Sequence, residues 1–224
     1  MSAQPIQIIE KSLFTDDILC LKMQAESPIE FSAGQYILLG TDPDNLKPFS
    51  IAAAPTGDGI IECHIRSHDD SGWMQALFAK AIGETLYFVG PNNQMQLQDN
   101  LLPTIFVAGG TGFAPMRALL EALLATQPIQ PIHFYWGARK AADLYQDTLL
   151  KDLSRRYENL NYIPVLSEES EDWQGRTGFV HEAVLQDYPV LEHHQVYLCG
   201  PWPMVQTAKA EFFAAGLDEK HFVS

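Results

Sequence analysis

Short apolar segments separated by turn residues fill the first hundred positions of the chain. Within each segment apolar residues either alternate with polar ones or form a brief continuous run, and Gly, Pro, Asn and Asp stand between the segments. Such short, evenly spaced segments are typical of the strands of an antiparallel barrel. The predicted strands are residues 6–9, 18–23, 36–39, 49–52, 60–66 and 85–89, with one helix at 72–81. We therefore expect an N-terminal, closed, six-stranded antiparallel β-barrel.

The second half of the chain alternates between strand and helix patterns. Apolar strands are predicted at 104–108, 132–136, 162–166 and 195–198, and helices at 115–125, 144–156, 180–186 and 204–215. Strands that alternate with helices form βαβ units around a parallel sheet. We expect two domains, a barrel over 1–98 and an α/β parallel-sheet, nucleotide-binding domain over 103–224, with a linker near 94–103. Phe222 and Val223 should pair at the sheet edge beside the strand that carries Cys199.

Charge and composition exclude several classes of function. The chain has 14 basic and 28 acidic residues, a formal net charge of -14, which disfavours binding to nucleic acid and to anionic membranes. It lacks an apolar run of the roughly 18 residues that a membrane span needs and begins without a signal peptide pattern. Its three scattered cysteines do not suit a disulfide framework or a Cys₄ metal or iron–sulfur site. We expect a cytoplasmic protein that binds no metal.

A glycine-rich turn joins the first strand of the second domain to its helix. Gly109, Gly110, Thr111 and Gly112 stand between the apolar strand and the amphipathic helix. Glycines let the backbone approach a ligand closely, and a helix start offers free N–H groups to a pyrophosphate. The pattern differs from G-x-G-x-x-G because Pro115 replaces the third glycine. The turn indicates nucleotide binding, and the alternative is an ordinary glycine-rich turn.

Two further motifs end strands of the same predicted sheet. The first consists of Cys199, Gly200, Pro201 and Met204, and parallel sheets bind ligands beyond the carboxyl ends of their strands. The alternative is a buried cysteine that acts as a small apolar side chain. The second motif consists of Gly137 and Arg139. Arg139 is a candidate for contact with a nucleotide's ribose or phosphate, and the alternative is a solvated loop arginine.

The fourth motif enters a barrel strand. Lys47, Pro48, Phe49 and Ser50 place a cation, a restrained backbone, an aromatic ring and a hydroxyl within four residues. The alternative interpretation is a strand start at which proline marks a sheet edge.

Taken together and in this order, the motifs resemble those of the ferredoxin–NADP⁺ reductase superfamily. The flavin motif of that family, Arg-x-Tyr/Phe-Ser/Thr, is similar to 47–50, its Gly-Gly-Thr-Gly turn to 109–112, and its Cys-Gly-Pro-x-x-Met motif to 199–204. Within the superfamily the chain resembles the short NAD(P)H:flavin reductases, the group that includes those of luminous bacteria. Further similar segments are 33–36, 135–137, 173–178 and 184–187, so that the resemblance spans residues 6–224.

This resemblance implies hydride transfer from the nicotinamide C4 to the flavin N5, with Ser50 hydrogen-bonding near N5 and Cys199 packing beside the nicotinamide as the two catalytic residues. It implies a flavin site formed by Lys47, Pro48, Phe49, Ser50, Ile65 and Arg66. It implies an NAD(P)H site formed by Gly109, Gly110, Thr111, Gly112, Gly137, Arg139, Cys199, Gly200, Pro201 and Met204.

Two departures from the family pattern concern the flavin's phosphate. Lys47 replaces the family's arginine and offers a point charge in place of a bidentate fork. Asp69 and Asp70 stand where FAD-binding members have a Gly/Ser/Thr-rich phosphate loop. We therefore expect riboflavin, FMN or FAD as a substrate or a loosely bound group, reduced by NADH or NADPH and handed to a flavin-dependent monooxygenase or a luciferase. The alternatives are an FAD-bound reductase that feeds a ferredoxin or an oxygenase, and a non-catalytic nucleotide-binding regulatory module.

Overall fold

The computed structural model describes residues 2–67, 71–168 and 172–224, which form two compact units. The first unit comprises the chain up to Leu97 together with Arg117–Ala125, and the second comprises Gln98–Met116 and Thr126–Ser224. In these described ranges each helix is too short or too polar to cross a membrane. The domain limits at 98 and 103 stay predictions.

The first unit is an antiparallel sheet of six strands with one helix. The elements are β1 (Gln4–Thr15), β2 (Ile18–Gln24), β3 (Tyr36–Gly40), β4 (Lys47–Ser50), β5 (Ile61–Arg66), α1 (Gly72–Ala79) and β6 (Thr85–Asn92). The strand order is β4-β3-β6-β1-β2-β5, and every neighbouring pair is antiparallel. The prediction of a six-stranded antiparallel domain is confirmed.

Alternation of side chains along the strands separates the core of this unit from its outer face. Ile37 and Leu39 of β3 are fully buried, whereas Tyr36 and Leu38 are only half-buried. Successive side chains of a strand point to opposite faces, so Tyr36 and Leu38 share the face away from the core. On β4, Ser50 and Pro48 pair with Tyr36 and Leu38, so these two residues of the flavin motif lie on this outer face.

Full closure of the barrel is not confirmed, since the strand ladder ends at β4 on one side and β5 on the other. A single bridge between Ile51 and Cys63 joins the two edges, where the sequence pattern predicted a strand through residue 52. The chain bends at Ala53, and Pro55 has no N–H to donate to a ladder. Closure therefore rests on that bridge rather than on a continuous pair of strands.

The second unit is a parallel sheet flanked by helices. Its strands are β7 (Thr104–Gly109), β8 (Ile132–Ala138), β9 (Leu160–Leu166), β10 (Arg176–Thr177), β11 (Gln195–Cys199) and β12 (Phe222–Val223). Its helices are the first turn of α2 (Phe113–Ala125), α3 (Asp147–Arg156), α4 (Val180–Asp187) and α5 (Trp202–Ala214). The strand order is β10-β9-β8-β7-β11-β12, and every neighbouring pair is parallel.

The register of this sheet brings three strand ends side by side. Gly109 of β7 pairs with Gly137 of β8, and Cys199 of β11 pairs with Ala108 of β7. All six residues of β7 are buried, as a central strand covered on both faces requires. The pairing of β12 with β11 confirms the prediction for the C-terminal residues.

A histidine pair near the opposite strand ends makes stability depend on pH. The Tyr188 hydroxyl lies 2.8 Å from His133 Nε2, and its ring packs 4.9 Å from the ring of His194. Burial, and then the charge of His194, lowers the pKa of His133. Burial, and then the charge of His193, lowers the pKa of His194. Both folded pKa values therefore lie below the unfolded value of 6.5.

Because the unfolded chain binds more protons below pH 6.5, we expect stability to fall as the pH is lowered from 7.5 to 5.5. The urea midpoint should be lower at pH 5.5, in a window above the titration of ordinary carboxylates. His133→Gln should reduce the difference between the two midpoints. A midpoint that is equal or higher at pH 5.5 would contradict this prediction.

Candidate functional site

The glycine turn after β7 packs against the backbone that follows β11. Gly110–Gly112 form a single 3-10 turn, in which Gly110 has a φ of 54°, a left-handed value that favours glycine. A Cβ on Gly112 would lie 2.2 Å from the carbonyl oxygen of Cys199 and 2.8 Å from the Gly200 nitrogen. Both neighbours are backbone atoms with little freedom to move. Only glycine fits at residue 112.

A second close contact joins the same two motifs. A Cβ on Gly109 would lie 2.4 Å from Met204 Sδ, and one on Gly200 would lie 3.1 Å from the Gly109 Cα. The Trp136 indole N–H also donates to the Gly110 carbonyl at 3.0 Å. The motifs predicted separately at 109–112 and 199–204 thus form one glycine-lined cradle at the carboxyl edge of the sheet. Such an edge, beside the start of α2, suits a pyrophosphate.

Cys199 presents a neutral thiol at this cradle. It is partly exposed at the end of β11. Burial raises the pKa of its thiol to about 11, against a smaller lowering by the Gly200 N–H. A thiol that stays protonated at neutral pH is a poor nucleophile. The state of this thiol therefore disfavours covalent catalysis by Cys199.

Arg139 and Arg176 differ in their surroundings although both lie near the carboxyl edge of the sheet, Arg139 directly after β8 and Arg176 beside the end of β9. Arg139 is 74% exposed, with its Nε 4.0 Å from Glu168. Arg176 instead donates to Asp187 at 2.5 Å and to the Ala183 carbonyl at 3.0 Å. Arg176 is thus engaged in holding α4, and Arg139 is the guanidinium with room for a ligand. A Cβ on Gly137 would lie 2.8 Å from the Cβ of Val180, so glycine there lets α4 pack closely on β8.

The flavin motif borders a pocket on the outer face of β3 and β4. The pocket has a volume of about 500 Å³, within the ~300–1,000 Å³ range of small-molecule sites. It is lined by Tyr36, Leu38, Pro48, Phe49, Ser50 and Gln94. Three of the four predicted motif residues therefore line one cavity.

Ser50 has a hydroxyl available to a ligand. It pairs with Tyr36 across the β3–β4 ladder and is half-buried. Its hydroxyl has no hydrogen-bond partner within the described parts of the chain. Tyr36 and Gln94 also line the pocket, and neither was predicted from the sequence as a site residue. Strand alternation places Tyr36 on the same face as Ser50, whereas nothing in the pattern marks Gln94.

Lys47 and Phe49 both contact Trp73 of α1, which sequence analysis also missed. Lys47 Nζ lies 4.4 Å from the Trp73 ring centroid, and the Phe49 ring stacks on Trp73 at 6.0 Å. The Trp73 indole N–H donates to the Asn45 carbonyl at 2.8 Å, which fixes the ring. The single cation of the motif is thus held by a cation–π contact.

The remaining predicted flavin residues lie on β5. Ile65 is fully buried in the core, and Arg66 Nε pairs with Asp17 at 3.0 Å. The side chain of Ile65 thus has no access to the outer face, and contact of either residue with a flavin stays a prediction. Asp69 and Asp70, whose charges argued against a phosphate loop, lie outside the described residues.

A buried charge cluster stands beside β5. Cys20, Glu62 and His64 present donor atoms of metal-binding type within 4.8 Å of one another. The Arg117 guanidinium lies 2.6 Å from Glu62, however, and His64 Nε2 lies 2.8 Å from the same carboxylate oxygen. Although burial alone raises the pKa of Glu62, the hydrogen bond with His64 and the charge of Arg117 lower it to about 2. Arg117 therefore supplies the charge that a metal ion would bring.

Comparison with protein families assigns one nucleotide to each part of the chain. Residues 5–97 match the oxidoreductase FAD-binding domain, and residues 106–210 match the oxidoreductase NAD-binding domain. The first match contains the pocket at Ser50. The second contains the cradle formed by 109–112 and 199–204.

Two curated relatives and one solved structure extend this result. The chain is 37% identical to a probable flavin reductase of Photobacterium leiognathi over 185 residues, 80% of this chain and 79% of the relative. It is 36% identical to the CDP-6-deoxy-L-threo-D-glycero-4-hexulose-3-dehydrase reductase of Yersinia pestis over 208 residues, 92% of this chain and 63% of that relative's length. A cytochrome P450 reductase of Amycolatopsis has a similar fold, with a TM-score of 0.90 and 25% identity over 99% of this chain and 69% of the other.

Proposed function

Because the chain belongs to the ferredoxin–NADP⁺ reductase superfamily, we propose that it is an NAD(P)H:flavin oxidoreductase that releases the reduced flavin. The observation that carries this proposal is the Ser50 hydroxyl, which lacks a partner among the described residues and borders a pocket of about 500 Å³ in the FAD-binding part. A half-buried hydroxyl in such a pocket can form a hydrogen bond with the polar edge of a bound ring.

The residues present fit both nucleotides. The glycines at 109 and 112 let the turn after β7 pack directly on Met204 and on the backbone of 199–200. We propose that the pyrophosphate binds at this edge of the sheet, against the N–H groups at the start of α2. The apolar wall of Leu38 and Pro48 suits a planar ring, and Ser50 adds a polar group to that wall. When bound, the reduced nicotinamide supplies a hydride and the flavin accepts it.

The protein's own residues bind and orient these rings. We propose that Ser50 exchanges a hydrogen bond with the reacting edge of the flavin. The neutral Cys199 thiol packs beside the nicotinamide and limits its movement, while Arg139 contacts the ribose or phosphate of the nucleotide. Ring atoms held about 3–3.5 Å apart are in a near-attack arrangement, so positioning is the main contribution expected of the chain.

We propose that the flavin is released because the protein has few groups that could hold its phosphate. The only cation of the flavin motif, Lys47, is already engaged over the ring of Trp73. The sequence places the acidic Asp69 and Asp70 ahead of α1, which disfavours a phosphate there. A flavin held mainly by its ring system exchanges with solvent and serves as a diffusing product. A flavin-dependent monooxygenase or a luciferase is the downstream user that we propose.

The test is the flavin content and acceptor requirement of the purified protein. We expect a colourless protein that oxidises NADH or NADPH only after riboflavin, FMN or FAD is added. Anaerobic fluorescence would then report reduced flavin free in solution. The measurement combines absorbance at the flavin band after gel filtration with NADH oxidation followed at each flavin concentration.

Two other outcomes would contradict the proposal and select an alternative. Stoichiometric flavin retained through gel filtration would favour an FAD-bound electron-transfer reductase. Absence of NAD(P)H oxidation with any flavin, ferredoxin or dye would favour a non-catalytic nucleotide-binding module.

A further inference from the structure

A buried network of charges joins β5 to the residues 117–125 of helix α2. Arg117 donates from Nη1 to Glu62 at 2.6 Å and from Nε to Glu121 at 2.8 Å. The side chains of Arg117, Glu62 and Glu121 are 15%, 10% and 26% exposed, so solvent screens their attraction little. One guanidinium thus ties together two carboxylates from different elements.

The same two glutamates hold the segment that follows the flavin motif. The Ala52 N–H donates to the Glu62 carbonyl at 2.8 Å, and the Ala54 N–H donates to Glu121 Oε2 at 3.0 Å. Ile51 alone separates Ser50 from Ala52, the first residue held in this way. Ile51 itself forms the isolated bridge to Cys63 between the two edges of the sheet. The path of the chain after Ser50 is therefore held by the backbone carbonyl of Glu62 and by the carboxylate of Glu121. Arg117 binds the side chains of both glutamates.

We propose that Arg117 is a positioning residue for the flavin site, acting through Glu62 and Glu121 on the segment 51–54 and hence on Ser50. The inference rests on the proposed function, because Arg117 is taken to set the geometry of the proposed flavin site. Arg117 is not among the residues that line the pocket at Ser50, so its effect on flavin is indirect.

The barrel edge explains why such a network is needed. In a closed barrel a continuous ladder would hold the strand carrying Ser50 on both sides. Here β4 is an edge strand, and its ladder with β5 is reduced to one bridge. Beyond the bridge, the Glu121 carboxylate that Arg117 holds accepts from the Ala54 N–H, where a continuous ladder would supply a backbone carbonyl.

The experiment compares Arg117→Met with the double variant Glu62→Gln/Arg117→Met. Removing Arg117 alone takes the cation away from two largely buried carboxylates and leaves Glu62 with His64 only, which destabilises the fold. The double variant removes that penalty at Glu62. In both variants Glu121 loses the guanidinium that orients it, so the carboxylate that accepts from the Ala54 N–H is no longer held in place. We expect the KM and the Kd for FMN to rise about tenfold in both, equivalent to ~1.4 kcal/mol, with the KM for NADH unchanged.

The exposed Arg155→Met is the matched control, since Arg155 is 74% exposed and pairs with Asp152 one helical turn away. It should leave both KM values unchanged. Kd is measured by quenching of FMN fluorescence, which does not depend on turnover, and stability by thermal unfolding.

The double variant distinguishes positioning from general stability. If it recovers wild-type stability and also the wild-type Kd for FMN, the proposal is overturned. A single variant with an unchanged Kd would overturn it as well. Should the single variant fail to fold, the Kd of the double variant alone tests the proposal. Failure of the wild-type protein to bind FMN would instead remove the proposed function and this inference together.

Discussion

Replacing Gly112 with alanine is expected to raise the KM for NADH or NADPH by about 100-fold, the scale on which a small misplacement of bound groups acts. The added Cβ would stand 2.2 Å from the Cys199 carbonyl oxygen, closer than any real contact. The backbone of 199–200 would have to move away from the turn, which opens the cradle proposed for the pyrophosphate. Steady-state kinetics at saturating flavin measures the change.

The Kd for FMN should be unchanged in this variant, because the pocket at Ser50 is built from other residues. Gly109→Ala should be milder, since its new Cβ meets the flexible end of Met204 rather than backbone. Gly72→Ala is the matched control, because nothing lies within 4 Å of its Cβ position. A loss of FMN binding with the KM for NADH intact would show that the nucleotides are assigned to the wrong parts of the chain.

Periodicity along the chain was sufficient to predict most elements of both units. The strands β3 and β7 are both short, nearly continuous apolar runs, and such runs between turn residues predict strands. The glycine turn was predictable for a different reason. Three glycines within four residues mark a tight turn in the sequence itself. The backbone that makes glycine necessary at residue 112 belongs to Cys199, which lies 87 positions further along the chain.

Contacts that depend on the three-dimensional fold could not be predicted in this way. The sequence around Trp73 predicts an ordinary helix residue, and its contact with Lys47 exists only in the folded chain. Arg117 and Glu62 are separated by 55 positions, and no local pattern links a helical arginine to a strand glutamate. The incomplete closure of the barrel has a similar origin, since strand periodicity does not report which edges meet.

Ser50→Ala is expected to slow flavin reduction by about 10- to 100-fold while the fold stays intact. The proposed hydrogen bond at the reacting edge is worth ~1.5–3 kcal/mol if charge develops there, and that energy appears directly in the rate. The substitution removes one half-buried hydroxyl without a partner among the described residues, so it leaves no protein group unsatisfied. Stability should therefore be unchanged, and the effect should appear in the chemical step.

Single-turnover reduction at saturating NADH and FMN, followed by stopped flow, isolates that step from binding and release. Ser12→Ala is the matched control, because Ser12 is an exposed serine within β1 of the same unit. It should reduce flavin at the wild-type rate. If Ser50→Ala and Ser12→Ala both react at that rate, the hydroxyl has no part in hydride transfer, and the role of 47–50 is limited to holding the ring. A slower rate in Ser50→Ala with an unchanged Kd for FMN would place Ser50 at the reacting edge, because a group that only binds the ring changes the Kd instead.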